Sequence, residues 1–170
     1  PPQPRQVQRL GELVKACGDP QLVVSGGNSS APHLMRRGLW SGEWTSLVNN
    51  LRIGESLFLG WDIIDKTPLP GLHQDVCRLM GEVIEVQDKP TAQGWRRRAV
   101  VALGKQDVGA GQVFPLEQGM EVVGITSDHL VLDVSQACGI KVGSLINFAV
   151  DYAALLALFT SPYVTKEAFC

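Results

Sequence analysis

The chain changes its sequence pattern at Pro68, Pro70 and Gly71, and this change constrains the fold more than any other feature. Before these residues, apolar positions at helical spacing alternate with short apolar runs that are typical of buried strands. After them, short strand-like runs follow one another without a helical pattern between them. The sequence therefore predicts two domains of different class, residues 1–66 and residues 67–170.

The predicted elements of the first domain alternate between helices and strands. The spacing of apolar residues predicts a helix over 5–17 and a short helix that begins at Ser30, as its N-cap, and ends at Arg37. Short apolar runs predict strands over 22–24 and 48–53. This order is typical of the last units of an α/β barrel of the TIM (β/α)8 type, although the domain has room for only two of its strands.

The second domain is predicted to be a small, mainly antiparallel β-domain, either a sandwich or a barrel. Its predicted strands, separated by turn signals such as Lys89-Pro90, cover residues 79–86, 97–103, 121–125, 130–134 and 144–150. Ile146, Phe148 and Val150 are expected on one face of the last strand. Asp151 is then expected to cap a short apolar helix that precedes Pro162.

The balance of charges limits the classes of partner. With 15 basic and 17 acidic side chains and no basic stripe, binding to nucleic acid or to an anionic membrane has no electrostatic support. No apolar run approaches the roughly 20 residues that span a bilayer.

The four cysteines lack metal-ligand spacing, which predicts no metal site and a reducing, cytoplasmic location. Because the chain begins with Pro1 rather than Met, we expect a fragment or a cut domain.

Two small-residue loops, residues 25–30 and 51–56, each follow a predicted strand. Backbone N–H groups in such loops can bind an anion, and two neighbouring loops can bind a phosphate group together. Taken alone, the first loop fits an ordinary tight turn better, and Arg52 could be a surface ion-pair partner. The succession of the two loops favours a phosphate site.

Five sequence blocks occur in an order that resembles a known family. They are Ser25–Ser30 (SGGNSS), Asn50–Glu55 (NLRIGE), Pro70–Asp75 (PGLHQD), Ser127–Leu130 (SDHL) and Thr160–Val164 (TSPYV). From about residue 20 onward, the chain resembles the C-terminal part of ornithine-racemase-like proteins. These belong to the alanine-racemase-like (fold-type III) group of pyridoxal-phosphate enzymes. Five ordered blocks are more specific than any single glycine loop.

The resemblance implies a barrel that holds pyridoxal 5′-phosphate at its mouth, followed by a β-domain. It implies that the Ser29 hydroxyl and the backbone amides of Gly54 and Glu55 bind the cofactor phosphate, while Asn28 shapes the loop. It also implies that Arg52 faces the pyridine nitrogen. Because a guanidinium keeps its proton, that nitrogen would stay unprotonated, and the weaker electron sink suits racemisation.

The resemblance further implies a head-to-tail dimer in which the β-domain of one subunit reaches the active site of the other. Asp128 and His129 are then candidate catalytic residues on the partner side, and Asp107 is a weaker candidate of the same kind. A turn with local side-chain hydrogen bonds explains Asp128 and His129 as well. The implied substrate is a small-molecule amino acid, and the sequence does not select among ornithine, lysine and alanine.

The family's lysine that binds the cofactor covalently lies on the first barrel strand, which this sequence does not contain. None of the lysines present is on a predicted barrel strand; they are Lys15, Lys66, Lys89, Lys105, Lys141 and Lys166. We therefore expect the C-terminal part of a racemase, inactive alone, that forms a homodimer or associates with an N-terminal chain. The alternative is a truncated, non-catalytic relative that acts as a phosphate-binding, pyridoxal-phosphate-binding or assembly module.

Other polar and aromatic side chains receive simpler interpretations. His33 is predicted to face solvent. Tyr152 and Tyr163 are predicted to pack against the protein, and the alternative for each is a contact with a phosphate. His73 and Asp75 are predicted to be solvated loop residues, with a functional role as the alternative.

Overall fold

The computed structural model describes residues 3–92 and 94–168. It divides into two compact units, the first ending at Val76 and the second beginning at Cys77. The first part of the chain contains helices and a short parallel bridge, and the second part contains an antiparallel sheet. This order of elements confirms the predicted fold class. Cys170, one of the four cysteines for which no metal site is predicted, lies outside the described residues.

The described residues of the first unit form four helices and a small antiparallel hairpin. They are α1 (Pro4–Cys17), α2 (Ala31–Arg36), α3 (Glu43–Leu47), α4 (Glu55–Leu59), β1 (Trp61–Asp62) and β2 (Thr67–Pro68). α1 begins at a proline, whose missing N–H costs nothing in the first turn of a helix. α3 was not predicted, because it is too short for a periodic pattern; it forms where Trp44 is buried against Trp40, with ring centroids 4.4 Å apart.

The two strands predicted in the first unit are reduced to one parallel bridge between Ser25 and Asn50. The backbone N–H groups of Asn49 and Asn50 both donate to the carbonyl oxygen of Val24, at 3.1 and 3.3 Å. The Asn49 side chain adds two bonds: its Oδ1 accepts from Val24 N at 2.8 Å, and its Nδ2 donates to Leu22 O at 2.9 Å. A side-chain amide thus replaces part of a backbone ladder.

The second unit is built on a six-stranded antiparallel sheet in the order β5-β8-β3-β4-β7-β6. Its elements are β3 (Leu79–Thr91), β4 (Gly94–Val101), α5 (Lys105–Val108), β5 (Val113–Pro115), β6 (Glu121–Ile125), β7 (Leu130–Asp133), β8 (Leu145–Val150) and α6 (Tyr152–Thr160). The edge strands β5 and β6 line one apolar cleft of about 550 Å³, so the sheet curls until its two edges face each other.

Alternate residues of the sheet form the core of the second unit. The predicted inward face of β8 is confirmed, because Ile146, Phe148 and Val150 are all buried. α6 begins where the sequence predicts, since Asp151 Oδ1 accepts a hydrogen bond from Ala154 N at 2.8 Å. The pattern of alternation and the capping residue therefore sufficed to predict these elements.

The predicted turn at Lys89-Pro90 is wrong, because β3 continues through both residues. β8 pairs only with the beginning of β3, from Leu79 to Glu82, and the end of β3 pairs with β4 alone. A proline is tolerated on such an open edge, since its missing N–H removes no hydrogen bond to a second neighbour. Two elements without a sequence signal, β5 and α5, were not predicted.

Candidate functional site

The two predicted phosphate loops lie side by side in the first unit. Gly26 N donates to Asn50 O at 3.0 Å, and Arg52 N donates to Gly27 O at 3.3 Å. Gly27 has a φ of 88°, and a Cβ at this position would lie only 2.9 Å from Cδ2 of Leu51. Glycine is therefore needed here both for the backbone conformation and for the close approach of the second loop.

Ser29 and Gly54, which the resemblance assigns to the cofactor phosphate, contact each other directly. Gly54 N donates to Ser29 Oγ at 3.2 Å, and the buried hydroxyl of Ser56 donates to Ser29 O at 2.7 Å. Within the described part of the chain, no group accepts a hydrogen bond from the backbone N–H of Ser29 or Glu55. The Ser29 hydroxyl and the N–H groups of Ser29 and Glu55 thus lie around the contact between Gly54 N and Ser29 Oγ, and hydroxyl and backbone N–H donors of this kind bind anions.

Asn28 organises the first loop through its side chain. Its Oδ1 accepts hydrogen bonds from Ser30 N at 2.9 Å and from the Ser30 hydroxyl at 2.8 Å, and its carbonyl oxygen accepts from Ala31 N at 2.8 Å. Ser30 does occupy the N-cap position of α2, but its hydroxyl makes no capping hydrogen bond. The predicted capping role of the Ser30 hydroxyl is therefore wrong: the hydroxyl donates to Asn28 Oδ1 and accepts no hydrogen bond from the first turn of α2.

Arg52 is exposed and is held at the edge of the loops by polar contacts. Its Nη1 donates to Ser25 Oγ at 2.8 Å, and the Ser25 hydroxyl donates in turn to Asn50 Oδ1 at 2.9 Å. Among the described residues, no carboxylate forms a salt bridge with Arg52. The guanidinium is therefore available to a ligand beside the first loop.

A cluster of charged side chains ties α2 to the β1–β2 hairpin. We call it the ion cluster, and its members are His33, Arg36, Arg37, Asp62 and Asp65. Arg36 Nη2 lies 2.8 Å from an oxygen of Asp62 and 2.8 Å from an oxygen of Asp65. His33 Nδ1 lies 3.0 Å from Asp62, whereas Arg37 Nη2 contacts only Asp65, at 2.7 Å.

Asp62 is the fully buried centre of the ion cluster. Burial alone raises the pKa of its carboxyl group. Hydrogen bonds from the backbone N–H groups of Asp65 and Ile64 and from the side chains of His33 and Arg36 outweigh burial and hold the pKa well below its ordinary value. The carboxylate is therefore ionised at neutral pH, and its charge is part of what stabilises the first unit.

The stability of the first unit is expected to fall in acid. Because the folded-state pKa of Asp62 is depressed, its contribution is fully present above the ordinary aspartate pKa of 3.8 and is lost as the pH falls further toward the folded pKa. Amide hydrogen exchange of segment 22–66 at several pH values measures this loss. In the Asp62→Asn variant, the free energy of unfolding should depend less steeply on pH below pH 3.8. An unchanged dependence on pH would contradict the role given to the Asp62 carboxylate.

The ion cluster is not predicted by the sequence patterns. His33 was predicted to face solvent, but its side chain is only 14% exposed and contacts Asp62. The missed signal is a matched spacing: the basic residues His33 and Arg36 are three positions apart, as are the acidic residues Asp62 and Asp65. Three of the five side chains are close enough to hold a metal ion. Because guanidinium groups already neutralise both carboxylates, salt bridges explain the arrangement.

The predicted partner-side residues, Asp128 and His129, lie in the second unit, in the tight turn between β6 and β7. Both are exposed. Thr126 N donates to His129 O at 2.8 Å, and His129 N donates to Thr126 Oγ1 at 3.1 Å, so local hydrogen bonds form the turn. Lys105 N donates to Thr126 O at 2.9 Å and joins the start of α5 to the same turn.

Asp107, the weaker candidate, lies on α5 next to this turn. Its Oδ2 accepts a hydrogen bond from Gly104 N at 2.9 Å, which caps the short helix. A Cβ at Gly104 would overlap the backbone of Ser127 and Asp128, so the two turns are in contact. The structure therefore brings Asp107 and the Asp128–His129 turn to one end of the sheet.

The two tyrosines differ from each other. Tyr152 is half-buried at the start of α6, whereas Tyr163 is 90% exposed. The prediction that Tyr163 packs against the protein is therefore wrong. The helix α6 ends at Thr160, and the backbone at Ser161 is extended.

Two curated relatives resemble the chain in sequence. Ornithine racemase from Acetoanaerobium sticklandii is 35% identical over 164 residues, covering 85% of this chain and 45% of the relative. Lysine racemase from Thermotoga maritima is 36% identical over 162 residues, with the same shares of each chain. No protein-family model matches the chain. The chain thus spans somewhat less than half the length of the curated relatives it matches.

Solved structures resemble the chain in fold. D-threonine aldolase from Filomicrobium marinum has a TM-score of 0.57 at 17% identity and covers 86% of this chain and 38% of its own. Alanine racemase from Acinetobacter baumannii has a TM-score of 0.55 at 16% identity, and the match covers 96% of this chain and 52% of the racemase. Alanine racemase from Bartonella henselae, solved with covalently bound pyridoxal phosphate, has a TM-score of 0.52 at 17% identity, and the match covers 85% of this chain and 43% of the racemase. This chain belongs to the alanine-racemase-like family.

This alanine-racemase-like chain corresponds to a C-terminal part of the family's fold, in which an antiparallel β-domain follows an α/β portion. Identities of 16–17% to the solved structures establish the fold alone. Among the described residues, no helix is long and apolar enough to cross a membrane.

Proposed function

We propose that the chain is the C-terminal part of a pyridoxal-phosphate-dependent amino-acid racemase, in which it supplies the cofactor's phosphate site and the dimer-forming β-domain. The observation that carries the proposal is the direct contact between Ser29 and Gly54, the two residues that the resemblance assigns to one phosphate group. The names of the relatives, ornithine racemase and lysine racemase, support a small-molecule amino acid as the substrate.

The residues present fit the phosphate end of the cofactor. The Ser29 hydroxyl and the N–H groups of Gly54 and Glu55 would donate to the phosphate, and Asn28 would keep the loop in shape. Arg52, anchored by Ser25, would donate to the pyridine nitrogen and keep it unprotonated, since a guanidinium does not release its proton. When bound, the cofactor ring withdraws electrons from the α-carbon of the amino acid and acidifies its proton.

The second unit would complete the active site of a partner subunit. Asp128 and His129 are exposed in one turn beside α5, which is where a residue that reaches another chain is expected. We propose a homodimer, or an association with a separate N-terminal chain, as the working form, and a cytoplasmic location.

A change at Ser29 should weaken phosphate binding. In the Ser29→Ala variant, one hydrogen bond to a charged group is lost, which is worth roughly 1.5–3 kcal/mol and lowers the affinity about tenfold or more. Titration of ¹⁵N-labelled protein with inorganic phosphate and with pyridoxal 5′-phosphate measures the effect through the amide signals of Ser29, Gly54 and Glu55. The matched control is Ser46→Ala, because the Ser46 hydroxyl bonds only to Glu43 O on α3.

Two results would contradict the proposal. One is that the amides of Ser29 and Gly54 do not respond to pyridoxal 5′-phosphate while amides elsewhere do. The other is that Ser29→Ala and Ser46→Ala bind the cofactor equally well. Either result would remove the phosphate site on which the proposal depends.

The second candidate is a non-catalytic module that binds phosphate or pyridoxal phosphate or serves in assembly, and the lysine positions are compatible with both candidates. None of the six lysines lies in the two loops, at 25–30 and 51–56; Lys66 lies in the β1–β2 turn and Lys15 in the last turn of α1. Borohydride treatment of the protein with pyridoxal 5′-phosphate, together with a fragment that supplies the family's first barrel strand and its lysine, followed by peptide mass spectrometry, separates the candidates. A specifically labelled lysine would argue against the module.

A further inference from the structure

The two phosphate loops are joined at one end by direct contacts. Ser29 Oγ accepts from Gly54 N, and Ser29 O accepts from the buried Ser56 hydroxyl. α2 begins two residues after Ser29, and α4 begins directly after Gly54. A displacement of either short helix would therefore move one of the two residues that meet here.

The same two helices are joined at their other ends by the ion cluster. Arg36, the last residue of α2, contacts Asp62 and Asp65, and His33 of α2 contacts Asp62. Asp62 follows α4 after a two-residue link, Gly60 and Trp61. The contacts at Ser29, α2, the ion cluster and α4 thus form a closed ring within the first unit.

We infer that Arg36 and Asp62 are positioning residues for the phosphate site. They hold the C-terminal ends of α2 and α4 together, so that Ser29 and Gly54 at the opposite ends stay at the spacing that one phosphate group requires. This inference rests on the proposed phosphate site. Neither residue touches the phosphate itself.

The chain offers a matched pair of arginines for the test. Arg36 and Arg37 are neighbours on one helix end, but only Arg36 contacts the buried Asp62, whereas Arg37 contacts the partly exposed Asp65 and is itself 57% exposed. Arg36→Gln removes the link to Asp62 while leaving His33 and two backbone N–H groups bound to that carboxylate. The first unit is therefore expected to remain folded in this variant.

The expected effect is a loss of affinity for pyridoxal 5′-phosphate that is specific to its phosphate. If only about a tenth of Arg36→Gln molecules hold the loops at the correct spacing, the dissociation constant rises about tenfold. Arg37→Gln should stay within about twofold of the parent protein, because its link is peripheral. Arg36→Lys should recover part of the loss, since it keeps a positive charge beside Asp62.

The experiment compares binding of pyridoxal 5′-phosphate and of pyridoxal, which lacks the phosphate, by calorimetry in the parent and the three variants. Hydrogen exchange at the Gly54 amide without ligand provides a second measurement, and circular dichroism checks the fold. A purely structural defect would weaken both ligands equally. Loss of affinity for pyridoxal 5′-phosphate alone, with faster Gly54 exchange in Arg36→Gln than in Arg37→Gln, supports the inference.

Two outcomes would contradict the inference that Arg36 and Asp62 position the phosphate site, and they differ in what they imply for the proposed function. Equal affinity for pyridoxal 5′-phosphate and equal Gly54 exchange in Arg36→Gln and Arg37→Gln would overturn the inference and leave the proposed function intact. If the parent protein binds no pyridoxal 5′-phosphate at the Ser29 amide, the proposed function fails, and the inference about a phosphate site fails with it.

Discussion

The Asp62→Asn variant is expected to unfold its first unit far more readily than the parent protein. The Asp62 carboxylate is fully buried and accepts hydrogen bonds from two backbone N–H groups and from the side chains of His33 and Arg36. Asparagine keeps an acceptor for the backbone but leaves the guanidinium without its buried charge partner. We expect the free energy of unfolding of the first unit to fall by about 3 kcal/mol. This value is the lower end for a broken buried ion pair, because Arg36 is partly exposed.

Asp65→Asn provides the matched control. The Asp65 side chain is 23% exposed, and its loss is expected to cost about 1 kcal/mol or less, as for an exposed salt bridge. Hydrogen exchange of peptides from residues 22–66, followed by mass spectrometry, reports the free energy of unfolding of the first unit alone. Similar losses in the two variants would contradict the central role given to the buried carboxylate.

The Phe148→Ala variant is expected to lose about 3–5 kcal/mol of the free energy of unfolding of the second unit, because the truncation leaves a cavity in a packed core. Phe148 is fully buried on β8 and is paired with Leu79 of β3 and Pro115 of β5. A Cβ at Gly81 would lie only 2.6 Å from Cγ1 of the buried Val101, so glycine there allows the side chains around Phe148 to pack closely.

Phe114→Ala, on the neighbouring strand β5, serves as the control for Phe148→Ala. The Phe114 side chain is 50% exposed, and its truncation leaves no enclosed cavity, so a loss of roughly 1 kcal/mol or less is expected. Urea unfolding monitored by hydrogen exchange over residues 79–158 distinguishes the second unit from the first. If both variants lost the same stability, Phe148 would not be the centre of this core.

The fold of the second unit could be predicted largely because its strands are amphipathic. Strict alternation in β8 identified its buried face, and Asp151 identified the start of α6. The short strand β5 and helix α5 could not be predicted, because their three and four residues carry no periodic signal. The proline at position 90 suggested a turn, since the sequence does not show which strands lack a second neighbour.

The candidate site could be predicted only in part. The residues of the two loops were identified from their small side chains and their order, but the contact between Ser29 and Gly54 joins residues 25 positions apart. The ion cluster was missed because its basic and acidic halves are separated by more than twenty residues, and each half alone resembles a solvated surface. Long-range pairing of this kind depends on the fold, which local patterns do not specify.

The side-chain amide of Asn49 affects how this chain tolerates changes in length. This side chain fixes the register of the segment around Val24 against the segment around Asn50. The alignment of Ser29 with Gly54 therefore depends on contacts close to the two loops. Among the described residues, the intervening stretch from Gly38 to Gly42 makes no hydrogen bond to either loop, and its contact with them is the Trp40 ring, which lies beside Gly27 and packs against Trp44. Insertions there that keep Trp40 in place should alter the surface while the offset between the two loops stays constant.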